Sequence, residues 1–465
     1  MIMYYLQSRW KLNGKKLIYY GIRGGDNLNK NVLKLSAKQA QIISSLPCEL
    51  TEKQLKSIRI AIENRAVGND EIKPVPTNLS EAVFCKNCCA NDFMLPGLQF
   101  NGDGLCPMCE HADKTAKLKS VVPVMKDIPK SKKSRFDVAV FYTGGKDSTY
   151  LLYYLSEVKK LRVLALYWEI PYASESALAS IANAKKTMSN VEFVTRTVCA
   201  EDMKRIYSKL YELNGNTCAC PSLAYVLFYP LLVQEKVPYF VAGNEPAQLT
   251  GLYFNNMAPA LVYSFPDNKL LNFLINVGRV LTFHPPLKRG QFHTLTTMKQ
   301  LANGTSKLLK MTGYRNELVE NVTTAIHAVP SIVKPLKSSL RRSSFTGNIP
   351  AFVQIDFDDI SGGKYDWTKI KNLISEKCGW IAPEDTGKGL HTSCKIERCK
   401  EYTQFIRFYK MQSTMIPFSA IEISLASRDK NLTREQAIYE IENTLGFSLT
   451  EIPECKIMRE YFLNE

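Results

Sequence analysis

The sequence predicts an α/β protein: a parallel sheet with helices on both faces, preceded by a small α+β module and a cysteine knuckle and followed by a mainly helical region. Strand-like and helix-like stretches alternate from Asp137 to Gly243 at the pace of β-α-β units. Two Cys-x-x-Cys pairs crowd residues 85–109, and a glycine-rich break follows the first strand of the alternating part. These features divide the chain into 1–80, 81–115, 130–255 and 256–465.

Residues 1–80 begin with strand-like KLIYYGIRG. Ser36 and Thr51 then each precede an apolar pattern at helical spacing, with Gln39 and Gln54 three positions on, the signature of a helix N-terminus. One strand and two or three short helices suggest a winged-helix-like module. The Pro-containing stretch IKPVPTNLSEAV connects it to the cysteines, and the basic stretch KDIPKSKKSRF leads out of them.

In the alternating part the expected strands are DVAVFY, RVLALYW, VEFVTRTV and VPYFVAG. The expected helices are about 147–159, SESALASIANAKKTM, AEDMKRIYSKLYEL and LAYVLFYPLLVQE. Beyond residue 256 the chain is apolar and reads as mainly helical, without a pattern that places single elements.

With 45% hydrophobic and 22% charged residues the composition is that of an ordinary globular protein. No apolar run reaches the roughly 18 residues that a membrane helix needs. The first residues lack a secretory signal, so a cytoplasmic location without a membrane partner is expected. In that compartment the 13 cysteines point to metal or sulfur chemistry rather than disulfides. The formal charge of +16 suits an anionic partner such as a nucleotide, a nucleotide-linked sugar or RNA.

Cys85, Cys88, Cys106 and Cys109 are two pairs separated by a turn-rich stretch, the spacing that closes a tetrahedral Zn²⁺ site. Cys89 and His111 are possible substitutes in that set. A closed four-thiolate site has no open position, so this zinc is expected to stabilise the knuckle and not to perform chemistry.

The break in FDVAVFYTGGKDSTYLLYYL carries the phosphate chemistry. Ligands of an open parallel sheet bind beyond the carboxyl ends of the strands. There Gly144 and Gly145 let backbone approach an anion, and the next helix offers its N-terminal N–H groups. Lys146 adds positive charge, Asp147 is placed to hold Mg²⁺, and Thr143 and Ser148 supply hydroxyls. At the end of the fourth strand, Asn244 and Glu245 are candidates to face substrate or metal.

This segment resembles the Ser-Gly-Gly-x-Asp-Ser loop of the PP-loop ATP pyrophosphatases, the adenine nucleotide alpha hydrolase-like superfamily, with Thr143 in place of the usual serine. The resemblance spans about residues 136–250. It implies that sheet type, ATP cleaved between its α and β phosphates, AMP transferred to a substrate carbonyl oxygen, and a nucleophile that displaces AMP. It also places adenosine near Tyr167, Trp168 and Glu169.

The knuckle residues Cys85, Cys88, Pro96, Gly97, Phe100, Gly104, Cys106 and Cys109, followed by the loop Thr143–Ser148, look like the N-acetyl sugar amidotransferases of surface-glycan pathways. That likeness implies an N-acetylated sugar or nucleotide-sugar as substrate, with its acetamido oxygen replaced by ammonia from a separate glutaminase. The segments NTCACPS and DTGKGLHTSCKIERCK depart from that pattern. They bring Cys218, Cys220, Cys394 and Cys399 to expected loops, where Cys220 and Cys394 fit a PP-loop sulfur transferase acting on tRNA or an amide with a sulfur donor. His391, near Asp385, is a candidate base. A non-catalytic nucleic-acid-binding protein is the third reading, and Lys146 and Asp147 argue against it.

Overall fold

The computed structural model describes residues 2–25, 31–70, 72–112, 122–214, 219–255, 268–311, 316–383, 390 and 393–463. Cys218, Asp385 and His391 lie outside the described residues. The chain forms two compact units, 1–117 with 401–452 and 118–400 with 453–465. The division therefore differs from the one read in sequence: the region 256–465 is not one body, because contacts assign its 401–452 segment to the N-terminal unit.

In the N-terminal unit, β1 (Met3–Leu6) pairs antiparallel with β5 (Cys48–Glu49) and β6 (Val67–Gly68). β2 (Trp10–Asn13), β3 (Lys16–Tyr19) and β4 (Val32–Lys34) form a second antiparallel sheet. The hairpin between β2 and β3 turns at Gly14-Lys15, with Gly14 at φ 57°, a backbone that favours glycine. The expected helix starts at Ser36 and Thr51 are present, each as a reciprocal capping box with its glutamine. Two three-stranded sheets replace the single strand expected, so the module is not winged-helix-like as read in sequence. Leu17, Ile58, Ala61 and Ala66 lie at the centre of its core. Arg9 ties the 401–452 segment to this core by donating to the carbonyls of Phe408 and Tyr409 at 2.7 and 2.6 Å.

The other unit is mixed α/β. β7 (Val138–Phe141), β8 (Val163–Trp168), β9 (Val191–Arg196), β10 (Tyr239–Ala242) and β11 (Ala351–Phe352) form one parallel sheet in the order β11-β10-β7-β8-β9. All six residues of β8 are buried. Successive strand residues face opposite sides, so both faces of β8 are covered. The helices Lys146–Tyr153, Glu175–Thr187, Ala200–Asn214 and Ser222–Gln234 lie where the alternation placed them. β11 was not legible: two residues from the region read as helical complete the sheet edge.

The chain steps from β7 through β8 to β9 and then returns to the other side of β7 as β10. The strand order therefore reverses between β7 and β10. Such a reversal opens a crevice at the carboxyl ends of the two strands, where ligands of open α/β sheets bind.

Candidate functional site

The crevice is walled by the loop after β7 and the turn after β10. Gly144 has φ 74°, and a Cβ there would meet the Ala177 carbonyl oxygen at 2.5 Å, so only glycine fits without strain. Trp380 fixes the same residue by donating its indole N–H to the Gly144 carbonyl at 3.1 Å. Ser148 ties the loop together, with Oγ 3.2 Å from Thr143 Oγ1 and from the Gly145 carbonyl. The helix Lys146–Tyr153 begins at Gly145 without a side-chain cap. Its first-turn N–H groups are donors that a helix leaves without an internal acceptor. Gly243 lets β10 approach closely, since a Cβ there would meet Ser148 Cα and N at 3.1 Å.

Lys146 turns inward and is buried. Its ammonium contacts the Asp147 carboxylate, lies 3.4 Å from Glu245 Oε2 and 3.3 Å from Tyr365 Oη, and stands over the rings of Trp367 and Tyr365 at 4.6 and 4.8 Å. Tyr365 donates to Asp147 Oδ1 at 2.6 Å, and Trp367 donates to Glu245 Oε2 at 2.8 Å. Burial works against the lysine charge, but Asp147 and Glu245 hold its pKa above the ordinary value. Burial pushes the Glu245 carboxyl up to about 7, with Lys146 pulling the other way. Tyr365 is raised well above its ordinary value, first by burial and then by Asp147. One cation is thus shared between two acids supplied by the ends of β7 and β10.

Of the residues expected from sequence, Thr143 to Ser148 and Glu245 meet in this crevice. Asn244 is turned elsewhere: its amide donates to Gln248 at 3.3 Å, and its carbonyl accepts from Gln354. Trp168 is buried at the end of β8, and among the described residues its indole N–H and the Tyr167 hydroxyl have no hydrogen-bond partner. Tyr365, Trp367 and Trp380 were missed, since no spacing in the sequence ties them to a loop more than 200 residues earlier.

Cys220 is exposed just before the helix Ser222–Gln234. That helix ends close to the start of β10, so its other end, about 20 Å away, lies toward the carboxyl edge of the sheet. Cys394 is partly exposed and bridges Ala173, in the loop that follows β8 at the same edge. Cys199, not singled out from sequence, is exposed directly before the helix after β9. Cys399 is different: it is buried, and its carbonyl accepts from the Cys455 thiol at 3.7 Å.

In the N-terminal unit the ligand atoms of Cys85, Cys88, Cys106 and Cys109 lie within 4.8 Å of one another, a set that can hold a metal ion. Cys88 Sγ and Cys106 Sγ are 3.7 Å apart. Four thiolates at Zn–S distances of about 2.3 Å around one tetrahedral ion stand about 3.8 Å apart, so the set fits a single ion. Backbone N–H groups of Cys106, Ala90 and Asn87 donate to the sulfurs at 3.3 to 3.5 Å. Arg428 and Arg434 support the knuckle through the carbonyls of Met108 and Cys85, at 3.0 and 2.7 Å. Neither possible substitute joins the set. Cys89 points to the Ile423 carbonyl with its thiol raised by burial to about 12, and His111 sits beside Glu110.

No protein-family profile matches the sequence, and no curated protein matches it. Among solved structures the chain is similar to the U34-tRNA thiolase NcsA from Methanococcus maripaludis with its 4Fe-4S cluster, at 16% identity over 56% of this chain and 88% of that one, with a TM-score of 0.22. A likeness of that size decides neither fold nor chemistry, which rest on the geometry above.

Proposed function

We propose that the chain is an ATP-dependent enzyme of the PP-loop type that activates a carbonyl or amide oxygen of its substrate as an adenylate, with release of pyrophosphate. The observation that carries this reading is the convergence of Lys146, Asp147 and Glu245 on an uncapped helix N-terminus at the point where strand order reverses. The loop N–H groups and Lys146 bind the polyphosphate, whose oxygens supply the acceptors that Lys146 otherwise finds in its own two acids. Asp147, partly exposed, is the oxygen ligand suited to Mg²⁺, which when bound neutralises phosphate charge. Glu245 and Trp367 hold Lys146 in place, and Tyr365 orients Asp147. Trp168 and Tyr167 are the side chains we assign to the nucleoside, because their polar atoms are buried without partners among the described residues.

For the second step we favour sulfur over ammonia as the incoming atom. Cys220 and Cys394 both lie toward the carboxyl edge of the sheet, where one of them, loaded as a persulfide by a persulfide donor, can attack the adenylated carbon of a tRNA base or an amide and displace AMP. A second thiolate then cleaves the S–S bond, leaving the sulfur on the substrate and a disulfide that a thiol reductant reopens. The amidotransferase reading, with an N-acetylated sugar and a separate glutaminase, rests on the likeness of knuckle and loop and on no residue of the crevice. Zn²⁺ is the ion we assign to the four cysteines, in a structural role.

The test is a product assay with full-length protein, MgATP and a panel of tRNA, amide peptides and N-acetylated nucleotide-sugars, each with a persulfide donor and a thiol reductant or with ammonia. Sulfur transfer adds about 16 Da with AMP and pyrophosphate released, whereas amidine formation lowers the mass by about 1 Da. Asp147→Ala is expected to abolish AMP formation. Cys220→Ser or Cys394→Ser is expected to remove the sulfur product while pyrophosphate release persists. A mass loss that is indifferent to both cysteines overturns the sulfur step. No AMP from any substrate overturns the adenylation.

A further inference from the structure

The helix Lys269–Leu281 is turned inside out. In a surface helix the apolar stripe normally faces the core. Here the polar side holds the helix to its own unit: Asn276 exchanges hydrogen bonds with the backbone of Leu287 at 2.7 and 3.2 Å, and Arg279 donates to the carbonyls of Pro285 and Ser344 at 2.8 and 3.1 Å. The other side is aliphatic and aromatic, and no residue of the helix is buried. Leu270, Phe273, Leu274, Val277 and Leu281 fall within an arc of about 100° at 3.6 residues per turn. They are 69, 64, 56, 40 and 75% exposed, and Phe283, just past the helix end, is 91% exposed. A run of this kind exceeds the scattered apolar residues of an ordinary surface.

Asp267 directly precedes the N-cap Asn268, and from there to Glu317 the sequence contains no acidic residue. Lys269 at the helix start and Lys288 and Arg289 beyond its end are exposed. Arg341 and Arg342 are also exposed, on the helix Pro330–Thr346 that receives the Arg279 bond and stacks Phe345 on His284 at 4.6 Å. A protruding apolar stripe with Lys269, Lys288, Arg289, Arg341 and Arg342 exposed near it matches an anionic lipid surface, with side chains entering the acyl boundary and cations meeting the headgroups. A second copy of the same surface would bring like charges together, and a nucleic acid has no use for exposed leucines. Among the described residues no helix is long and apolar enough to cross a membrane, so the contact is with its surface.

We infer that this protein binds peripherally to anionic phospholipid bilayers through Lys269–Leu281 and Phe283. The stripe supplies the inserted apolar side chains, and the neighbouring lysines and arginines supply the charge selectivity.

The experiment is co-sedimentation of the full-length protein with vesicles of phosphatidylcholine alone or of equal parts phosphatidylcholine and phosphatidylglycerol, with light scattering of the protein alone. Binding is expected only to the anionic vesicles and is expected to weaken with salt. Leu270→Ser, Phe273→Ser, Leu281→Ser and Phe283→Ser together are expected to lower partitioning at least tenfold, roughly, while circular dichroism and the thermal midpoint stay unchanged. Lys288→Glu with Arg289→Glu is expected to abolish the preference for anionic vesicles and leave the fold intact. The inference is overturned if the protein ignores anionic vesicles at low salt, or if the four-serine variant binds as well as the wild type. It is also overturned if the protein is a dimer that the four-serine variant turns into a monomer without vesicle binding, since the stripe would then be covered by a second copy.

Discussion

Replacing Lys146 by Met removes the one cation that Asp147 and Glu245 share. The Lys146 and Glu245 side chains are each 4% exposed and that of Asp147 is 20% exposed, so water cannot replace the lost partner. Breaking a buried ion pair from one side costs roughly 3–5 kcal/mol. The cost depends on pH because burial already raises Glu245, to about 7, above its ordinary value of 4.5. A carboxyl raised in the folded state contributes stability fully below its unfolded pKa, and that contribution is lost as pH rises through the folded value. Without Lys146 the Glu245 carboxyl rises further, because the pull that opposed burial is gone. At about pH 6 Glu245 is neutral with or without Lys146 and the variant loses little, whereas above about pH 7, as at about pH 8, the folded variant must hold a proton that the unfolded chain releases, so the loss grows with pH toward the roughly 3–5 kcal/mol of a broken buried pair. For a unit of this size the loss corresponds to a fall of roughly 6–20 °C in the thermal midpoint. The assay is thermal unfolding followed by circular dichroism at both pH values, with Lys146→Met/Glu245→Gln alongside to recover most of the loss. A loss equal at the two pH values, or below roughly 1 kcal/mol at about pH 8, refutes the shared-cation reasoning.

Gly144→Ala is expected to weaken MgATP binding and to lower stability by roughly 2 kcal/mol or more, because the new Cβ meets a backbone carbonyl at a left-handed φ; isothermal titration and thermal unfolding check it. Cys88→Ser is expected to lower bound metal from one ion per chain to near zero, measured by plasma mass spectrometry, and chelation of the wild type is expected to expose the same core to limited proteolysis. Trp380→Phe removes the donor to the Gly144 carbonyl and is expected to raise the KM for ATP more than it changes kcat, at a stability cost of roughly 1–2 kcal/mol.

The glycine loop, the four knuckle cysteines and the alternating strands and helices of 137–243 were legible because each is a local matter. A loop that needs φ 74° at Gly144 can use little but glycine, four thiols around one ion need short paired spacings, and a strand or helix declares itself by its period. Even a local signal was passed over, since the Gly14-Lys15 turn marks the β2–β3 hairpin that the reading of one strand left out. Cys399 illustrates the opposite limit: its neighbour in sequence is Cys394, but its neighbour in space is Cys455.

The sequence by itself determined the side chains on offer: a glycine loop with one lysine and one aspartate, a second acid after the fourth strand, and a four-thiol set. The tertiary structure decided what holds them. Tyr365, Trp367 and Trp380 come from far along the chain to set the Lys146 ammonium and the Gly144 backbone, and β11 closes one edge of the sheet with two residues. The helix Phe418–Arg428 brings Arg428 to the cysteine knuckle, and 401–452 joins a unit that begins at the other end of the sequence. The reason is range. Backbone conformation and periodicity are set by neighbours a few residues apart, whereas burying a charge and satisfying it require side chains that only the folded chain brings within hydrogen-bond distance.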